Sequence, residues 1–250
     1  MSSWTLSTKM KVLIIGSGFM GTSLALKLKQ KNSEASVSCI EQNSVVKAEV
    51  DQSDIYDETY YELNEVSDSY DGVIVCTNIE EVKNNVEKCQ EKFTSSTLIT
   101  DISSTKKHIS ALMDEGYVSS HPICGSEQSG PTTANASVFD GARVVVVGHD
   151  TERVKSFWQS LGCSIFEMDT KTHDKFFGYL SHLPHLMAFA FDKLTESIPH
   201  RDDLMPESSR ELLRLGKSNE DLWNEIFKDN KEILDESVIG FVKHLTNIKN

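Results

Sequence analysis

Short apolar runs alternate with polar, helix-forming stretches over the first two thirds of the chain. Such runs are typical of strands buried on both faces, as in a parallel sheet. Strands are predicted at residues 12–15, 37–40, 73–76, 98–101, 144–147 and 165–168. Helices are predicted between them at residues 22–31, 80–93 and 151–161. This alternation predicts an α/β fold with a Rossmann-type, doubly wound parallel sheet.

The pattern changes after Asp169. From residue 171 onward only helical periodicity is visible, and it is interrupted near Pro199 and Pro206. We therefore predict a Rossmann-type domain at residues 1–169 and a smaller, all-helical domain at residues 170–250. Pro184 lies within one of these helices and is expected to kink it, because proline removes one N–H from the hydrogen-bond ladder.

Composition narrows the classes of partner. The 250 residues carry a formal net charge of −13, which argues against nucleic acid and anionic membranes, since both require a basic surface. The five cysteines form no C-x-x-C pair, so neither a disulfide framework nor a metal site is expected. No apolar run approaches the roughly 18 residues of a membrane span, and the N-terminus lacks the apolar core of a secretory signal. We expect a soluble, cytoplasmic protein.

A glycine-rich segment follows the first predicted strand and opens the first predicted helix. Gly16, Gly18 and Gly21 fit the pattern G-x-G-x-x-G. The first glycine makes a tight turn, the second lets a pyrophosphate approach the backbone, and the third allows the helix to pack closely on the strand. The helix N-terminus adds N–H donors and a positive dipole. A dinucleotide is therefore predicted to bind at Gly16, Ser17, Gly18, Phe19, Met20 and Gly21.

The residue that indicates which dinucleotide binds is Glu41, which follows the second predicted strand. A carboxylate there accepts hydrogen bonds from both ribose hydroxyls and repels a 2′-phosphate, and the next residues, Gln42 and Asn43, are uncharged. The prediction is NAD rather than NADP; the alternative for Glu41 is a solvated strand end. Thr77, which follows the third predicted strand, is expected to contact the rest of the dinucleotide.

Two further polar segments are predicted at the carboxyl ends of strands, where parallel sheets bind ligands. One runs from Asp101 to Lys106 and contains Ser104; the other begins with His121, which is taken to follow a strand at residues 117–120. A serine and a histidine at this edge could form an acid/base pair, because the ordinary pKa of histidine is close to neutrality. Each residue taken alone is more often structural than catalytic.

The helical part adds two pairs of candidate residues. His182 and His185 are three positions apart and share a helical face. Arg210 and Arg214 are four positions apart, and the alternative for this pair is a solvated face beside acidic neighbours.

Taken together, the motifs resemble those of the prephenate/arogenate dehydrogenase family of tyrosine biosynthesis. The matching segments, in family order, are the glycine-rich loop, Asp101-x-x-Ser104-x-Lys106, His121-Pro-x-x-Gly125-x-Glu127-x-Ser129-Gly130, Ser181-His-Leu-Pro-His185, and Arg214-Leu-x-Lys217-Ser218 followed by Trp223. The histidine-bearing motifs are far more specific than the glycine-rich loop. The resemblance spans most of the chain.

The resemblance implies a reaction and a role for each candidate. The family oxidatively decarboxylates a cyclohexadienol that carries a 4-hydroxyl and a ring carboxylate. His121 would accept the hydroxyl proton, and Ser104 would orient His121 or hold the same hydroxyl. Arg214 would bind a substrate carboxylate, for which a bidentate guanidinium is well suited. The remaining pocket would be lined by His182, His185 and Glu127.

The resemblance also implies that the helical domain pairs with its copy in a homodimer, and that Trp223 packs this domain. One segment departs from the family pattern. Family members usually carry a Gly-Gly-Phe-Arg-like turn before the substrate-binding arginine, whereas this chain has Glu207-Ser208-Ser209-Arg210.

Other functions stay open at the level of the sequence. Prephenate is favoured as the substrate because NAD more often accompanies it in this family, but arogenate, which has an amino group where prephenate has a keto group, is the alternative. A β-hydroxyacid dehydrogenase would share the two-domain plan, although such enzymes rely on a lysine in the helical domain. A non-catalytic dinucleotide-binding protein is the remaining alternative, and the altered segment from Glu207 to Arg210 is the feature that favours it.

Overall fold

The computed structural model describes residues 9–125 and 128–248. The chain divides into two compact units, Met1–Thr170 and Lys171–Asn250. Within the described ranges, no helix is both long enough and apolar enough to cross a membrane.

The first unit is built around a five-stranded parallel sheet. Its strands are β1 Lys11–Ile15, β2 Ser36–Ile40, β3 Glu58–Tyr60, β4 Gly72–Val75 and β5 Leu98–Asp101. They lie side by side in the order β3-β2-β1-β4-β5. Ile15, the last residue of β1, pairs with Ile40 of β2 and with Val75 of β4. The carboxyl ends of these three strands therefore meet at the same edge, and the predicted Rossmann-type sheet is confirmed.

Helices connect these strands because parallel neighbours need a crossover connection. They are α1 Phe19–Lys31, α2 Ser44–Asp51 and α3 Ile79–Lys92, followed by α4 Ser110–Asp114 and α5 Glu152–Ser160 later in the unit. α1 buries Leu24 and Leu28, four positions apart, in a core that also contains Ile14 of β1 and Ile74 of β4. This packing fixes the N-terminus of α1 close to the end of β1.

Three later strands form a second sheet in the same unit, so the strands predicted at residues 144–147 and 165–168 are not part of the five-stranded sheet. They are β6 Ser119–Ile123, β7 Arg143–Val147 and β8 Ser164–Glu167, with β7 in the middle. β8 runs parallel to β7, but β6 runs antiparallel to it, with His121 opposite Val145. The prediction that His121 follows the carboxyl end of a parallel strand is therefore wrong. An apolar run does not reveal strand direction, and Pro122, which has no N–H, is tolerated because β6 is an edge strand.

The second unit is built from helices, and its described residues include no strand. The helices are α6 Thr170–Phe177, α7 Leu183–Thr195, α8 Glu207–Gly216, α9 Glu220–Asp229 and α10 Lys231–Ile248. The predicted all-helical C-terminal region is confirmed. Between α6 and α7, Gly178–His182 forms a π-helical turn in which the Leu183 N–H donates to the carbonyl oxygen of Gly178. Pro184 comes next, so the predicted disturbance of the helix takes the form of a wider turn.

Candidate active site

The glycine-rich segment covers the turn after β1 and the first turn of α1, and two of its three glycines are required by close contacts. Gly16 has a φ of +94°, and a Cβ there would lie 2.7 Å from the carbonyl oxygen of Cys76. A Cβ on Gly21 would lie 2.1 Å from the carbonyl oxygen of Gly16. At Gly18, by contrast, a Cβ would meet nothing within 4 Å. The space beside Gly18 is therefore open, as the approach of a pyrophosphate requires.

The first turn of α1 offers its backbone N–H groups to a ligand. Gly18 is the N-cap and provides no side-chain cap, and no acidic residue lies in the first turn. Such N–H groups have no partner within the helix and carry the positive end of its dipole. The side chains of Ser17 and Phe19 are buried, so contact between these residues and a ligand goes through the backbone.

Glu41 follows β2, and its carboxylate is bound to the glycine-rich turn. Oε2 accepts hydrogen bonds from the backbone N–H of Ser17 at 3.0 Å and from its hydroxyl at 2.9 Å. Oε1 accepts one from the backbone N–H of Asn43 at 2.9 Å. Because ionised carboxylates form strong hydrogen bonds, the Glu41 side chain is fixed beside the turn rather than freely solvated.

A cavity of about 990 Å³ lies at the carboxyl ends of β1, β2 and β4. Its lining includes Gly16, Glu41 and Thr77, which the structure thus brings together, and its volume is in the range of ligand-binding clefts. Asn85 of α3 donates to the Thr77 hydroxyl at 3.3 Å. Sequence reasoning missed several other polar residues that line the cavity, among them Asn78, Asn85, Lys88 and Lys92. No local motif marks the side chains of α3, because only the packing of α3 on the sheet brings them to this edge.

The segment from Asp101 to Lys106 is organised around a buried ion pair. Lys106 Nζ lies 3.4 Å from Asp101 Oδ2, and both side chains are 0% exposed. Asp101 also accepts hydrogen bonds from the backbone N–H of Ser103 at 2.8 Å, from the Ser103 hydroxyl, and from the Tyr117 hydroxyl at 3.0 Å. Burial by itself raises the pKa of Asp101, but the charge of Lys106 and the bonds from Ser103 outweigh it and hold that pKa below its ordinary value. Ser104, within this segment, is half-buried.

The strand that carries His121 is anchored through the preceding residue, Ser120. Lys106 Nζ donates to the Ser120 carbonyl oxygen at 2.8 Å. The Ser120 hydroxyl accepts a hydrogen bond from Trp158 Nε1 at 2.8 Å and shares another with the Thr100 hydroxyl at 2.8 Å. Side chains alternate along a strand, so the half-buried His121 lies on the opposite face of β6 from Ser120. Lys106 therefore ties the segment containing Ser104 to the strand containing His121.

In the second unit, His182 and His185 lie beside Trp223 of α9. The His185 ring stacks on the indole with centroids 3.6 Å apart, and His182 meets it edge-on at 6.1 Å. Burial lowers the pKa of His182 to about 4. Burial also lowers the pKa of His185, and the positive charge of Arg214 adds to this, although a hydrogen bond to the Ser181 carbonyl opposes it. Both imidazoles are therefore neutral at pH 7.

Arg214 lies on α8, and its side chain is 64% exposed. Its Nε is 4.0 Å from Glu211 Oε2, a loose contact for an ion pair. Residues 207–210 form the start of the same helix, with Pro206 as the N-cap. The segment that departs from the family pattern in sequence is thus the first turn of a helix in this chain. Glu127, the remaining predicted pocket residue, lies outside the described residues.

The part of the chain that the structure describes contains neither a cluster of metal-ligating side chains nor a cysteine with a lowered pKa. No group of three His, Cys, Asp or Glu side chains within it could hold a metal ion. The five cysteines are free thiols. Burial raises the pKa of Cys163 to about 11 and that of Cys124 to about 12. These two groups are protonated at neutral pH and are poor nucleophiles.

Two family models match the chain in sequence order. The first is described as the nucleotide-binding domain of prephenate dehydrogenase and matches residues 24–167. The second is described as the prephenate dehydrogenase dimerization domain and matches residues 169–250. Between them they take in well over half of the chain.

Individual relatives agree with the family models. Prephenate dehydrogenase of Lactococcus lactis subsp. cremoris is 27% identical over 252 residues, which cover 95% of this chain and 70% of that protein. Cyclohexadienyl dehydrogenase of Zymomonas mobilis subsp. mobilis is 22% identical over 254 residues, covering 95% of this chain and 87% of that protein. The crystal structure of prephenate dehydrogenase from Aquifex aeolicus, in complex with hydroxyphenyl propionate and NAD+, matches with a TM-score of 0.87 and 26% identity, covering 98% of this chain and 91% of that chain. The protein therefore belongs to the prephenate dehydrogenase family.

Proposed function

We propose that this protein catalyses the NAD-dependent oxidative decarboxylation of prephenate to 4-hydroxyphenylpyruvate. The observation that carries the proposal is the match of both family models, in order, to residues 24–167 and 169–250. The Aquifex aeolicus relative that binds NAD+ and hydroxyphenyl propionate supports both the cofactor and an aromatic product.

The residues of the first unit fit a dinucleotide. The open space beside Gly18 and the N–H groups of α1 suit a pyrophosphate. The fixed carboxylate of Glu41 suits the ribose hydroxyls and disfavours a 2′-phosphate. Thr77, in the lining of the same cavity, would contact the rest of the dinucleotide. NAD, when bound, supplies the acceptor for the hydride of the substrate's C4.

His121 would remove the proton from the 4-hydroxyl group of the substrate. A base that removes this proton lets the O–H electron pair form the C4 carbonyl, and a histidine suits the task near neutral pH. When the ring carboxylate leaves as CO2, the electron pair of the broken C–C bond aromatises the ring, and the oxygen at C4 recovers a proton. Ser104 would orient His121 or hold the same hydroxyl.

Recognition of the substrate's anionic groups is assigned to the helical unit. The exposed guanidinium of Arg214, only loosely paired with Glu211, is available to bind a carboxylate in a bidentate manner. His182 and His185 would bind further polar groups of the substrate. The role of Glu127 rests on the family motif alone. We also propose that residues 170–250 form a homodimer, in keeping with the family description of this region.

The experiment that tests the proposal crosses two substrates with two cofactors. Purified protein is assayed with prephenate or arogenate and with NAD or NADP, and reduced nicotinamide is followed by absorbance. We expect turnover of prephenate with NAD and much poorer turnover with NADP. His121→Asn should lower kcat by about 100-fold or more, as for loss of a general base. His149→Asn, at an exposed histidine of the same unit, is the control and should leave kcat unchanged.

Each alternative has its own outcome. Turnover of arogenate alone would replace prephenate as the substrate, and undiminished kcat in His121→Asn would contradict its role as a base. Better turnover with NADP would contradict the role of Glu41 and would direct attention to Lys88 and Lys92, the lysines in the cavity lining. Binding of NAD without turnover of either substrate would favour a non-catalytic dinucleotide-binding protein.

A further inference from the structure

The side chain of Asn230 links two helical segments of the second unit. Asn230 is the C-cap of α9 and is 2% exposed. Its Nδ2 donates to the backbone carbonyl of Asp174 in α6 at 2.8 Å and lies 3.1 Å from Nδ1 of His182 in the π-helical turn. Gly178 leaves room for this amide, since a Cβ there would lie 3.2 Å from Asn230 Nδ2 and 2.5 Å from Ile233 Cγ2.

The chemistry of the two neighbours decides where the proton of His182 lies. A backbone carbonyl only accepts, so the amide nitrogen of Asn230, and not its oxygen, must face Asp174. The same nitrogen carries a second hydrogen, and this one is directed to His182 Nδ1. Nδ1 must therefore be the acceptor, and the single proton of the neutral ring is on Nε2.

His185 is held in the opposite tautomer. Its Nδ1 lies 2.9 Å from the backbone carbonyl oxygen of Ser181. Because that oxygen only accepts, Nδ1 of His185 must carry the proton, and Nε2 is left with a lone pair. Two histidines three positions apart thus differ in what their Nε2 atoms can do: one donates and the other accepts.

The groups around His182 keep its ring neutral. Its pKa is lowered to about 4, chiefly by burial and to a smaller extent by His185 on α7. Asp174 on α6 and Asp229 on α9 act in the opposite direction but do not overcome burial. A neutral ring can exist as either tautomer, so the choice between them falls to the hydrogen bond from Asn230.

We propose that Asn230 is a positioning residue that fixes His182 as the neutral Nε2–H tautomer by donating to its Nδ1. The consequence for substrate binding rests on the proposed function. His182 can then only donate from Nε2, which suits a carboxylate or keto oxygen, whereas His185 can only accept there, which suits a hydroxyl or ammonium hydrogen. A substrate side chain with oxygens alone would use His182, and one carrying an ammonium group would also find an acceptor in His185.

The first test measures the ring nitrogens of His182 by NMR in the free protein labelled with 15N-histidine. The signals are assigned by through-bond correlation from the backbone amide. We expect a protonated Nε2 and an unprotonated Nδ1, with no titration of the ring down to about pH 5. A protonated Nδ1, or an imidazolium at neutral pH, would overturn the proposal. The wild-type spectrum gives this answer without any variant and without turnover of any substrate.

The matched perturbation is Asn230→Asp, which keeps the shape of the side chain but replaces the donor with a carboxylate. Nδ1 of His182 should become protonated, and its pKa should rise, because a negative oxygen now faces it. Asn224→Asp makes the same change at an exposed position of α9. It controls for the added charge and should leave the His182 spectrum unaltered. An unchanged spectrum in Asn230→Asp would also overturn the proposal.

The second test separates KM from kcat. In Asn230→Asp the neutral ring has no donor at Nε2, so the KM of the ring substrate should rise about five- to tenfold, as for one lost hydrogen bond. The kcat should stay within about twofold, because the bond is lost equally from the ground and transition states. The rise in KM should grow as the pH is raised through the new pKa, since the imidazolium still donates from Nε2.

The two tests fail in different ways. A wild-type KM in a variant whose spectrum shows the changed tautomer would overturn the role in substrate binding. If neither substrate is turned over by the wild-type protein, the proposed function fails, and the spectrum still decides whether Asn230 fixes the tautomer.

Discussion

At the scale of single residues, the best-defined feature is the ion pair of Asp101 and Lys106, which the structure places wholly out of solvent. Lys106 does more than balance the charge of Asp101. Lys106 Nζ also donates to the carbonyl oxygens of Ser103 at 2.7 Å and Ser120 at 2.8 Å. Because Ser120 immediately precedes His121, the ammonium group of Lys106 helps to fix the strand from which His121 projects. In the segment from Asp101 to Lys106, Ser104 is thus the partly exposed candidate, and the buried side chains of Asp101 and Lys106 hold the segment in place.

Replacing Lys106 by methionine should destabilise the protein by about 3 kcal/mol or more, because Asp101 is left buried without its partner. The loss should be largest near neutral pH. As the pH falls, the unpaired Asp101 of the variant takes up a proton before the paired Asp101 of the wild-type protein, whose pKa is held below its ordinary value. The difference in free energy of unfolding should therefore shrink on acidification. Urea unfolding at several pH values measures it.

The control for this prediction is Lys83→Met. Lys83 is an exposed lysine of α3, 3.8 Å from Glu87, and losing such a surface pair should change the free energy of unfolding by about 0.5 kcal/mol or less. If Lys106→Met were as mild as this control, the buried pair would not have the structural role inferred for it.

At the scale of elements, the sequence predicts the strands that are apolar runs and misses a strand that is held only by pairing with its neighbour. β1, β2, β4 and β5 are apolar runs, and their predicted positions agree with the structure to within a residue. β3 was not predicted, because Glu58–Tyr60 is short, polar and only partly buried, and is ordered by its hydrogen bonds to β2. The predicted direction of β6 is wrong for a related reason, because the direction of a strand depends on its pairing with another strand, here β7.

In the candidate site too, features with a local sequence signal can be predicted, whereas contacts between residues far apart in sequence cannot. The glycine-rich segment can be predicted because its spacing is a local signal: Gly16 adopts a positive φ, and Gly21 lies against the carbonyl oxygen of Gly16. The contacts of Glu41 with Ser17 span 24 positions, and those of Asn230 with His182 span 48. Asn230 carries no local signal, because an asparagine at a helix end is ordinary and its function arises only when two helical segments are packed around it.

The π-helical turn is an element whose geometry depends on one glycine. A Cβ on Gly178 would lie 2.5 Å from Ile233 Cγ2, and the branched side chain of an isoleucine in a helix has little freedom to move. Gly178→Ala should therefore destabilise the protein by about 1–3 kcal/mol, as for overpacking of a core. Thermal and urea unfolding test this prediction.

The control for Gly178 is a second glycine of the same unit. A Cβ on Gly240, inside α10, would meet nothing within 4 Å. Gly240→Ala should therefore stabilise the helix by about 0.5–1 kcal/mol, the ordinary advantage of alanine over glycine. The two glycine-to-alanine substitutions should thus change the free energy of unfolding in opposite directions. A destabilising effect of the same size in both would contradict the packing argument.

At the scale of the whole molecule, exposed apolar side chains are unevenly distributed. Of the fourteen large apolar side chains that the described residues expose, ten belong to the second unit, which has less than half the residues of the first. On α10, Ile239 is 71% exposed and Val242 is 50% exposed, and their spacing of three places them on one face. Soluble monomers rarely leave large apolar patches uncovered. This surface and the family description of the region support a second copy of the chain as the partner.

If α10 lies in that interface, aspartate at Ile239 and Val242 together should convert a dimer into a monomer, because burying unpaired carboxylates costs several kcal/mol each. Sedimentation velocity measures the change, and Val45→Asp, at a 68% exposed position of the first unit, should leave the dimer intact. The net charge of −13 on each chain opposes association, so the wild-type dimer should also be weaker at low ionic strength, where charges are less screened. A monomeric wild-type protein, or a double variant that remains dimeric, would contradict this interface. Dissociation of both the double variant and Val45→Asp would show instead that added charge alone separates the subunits.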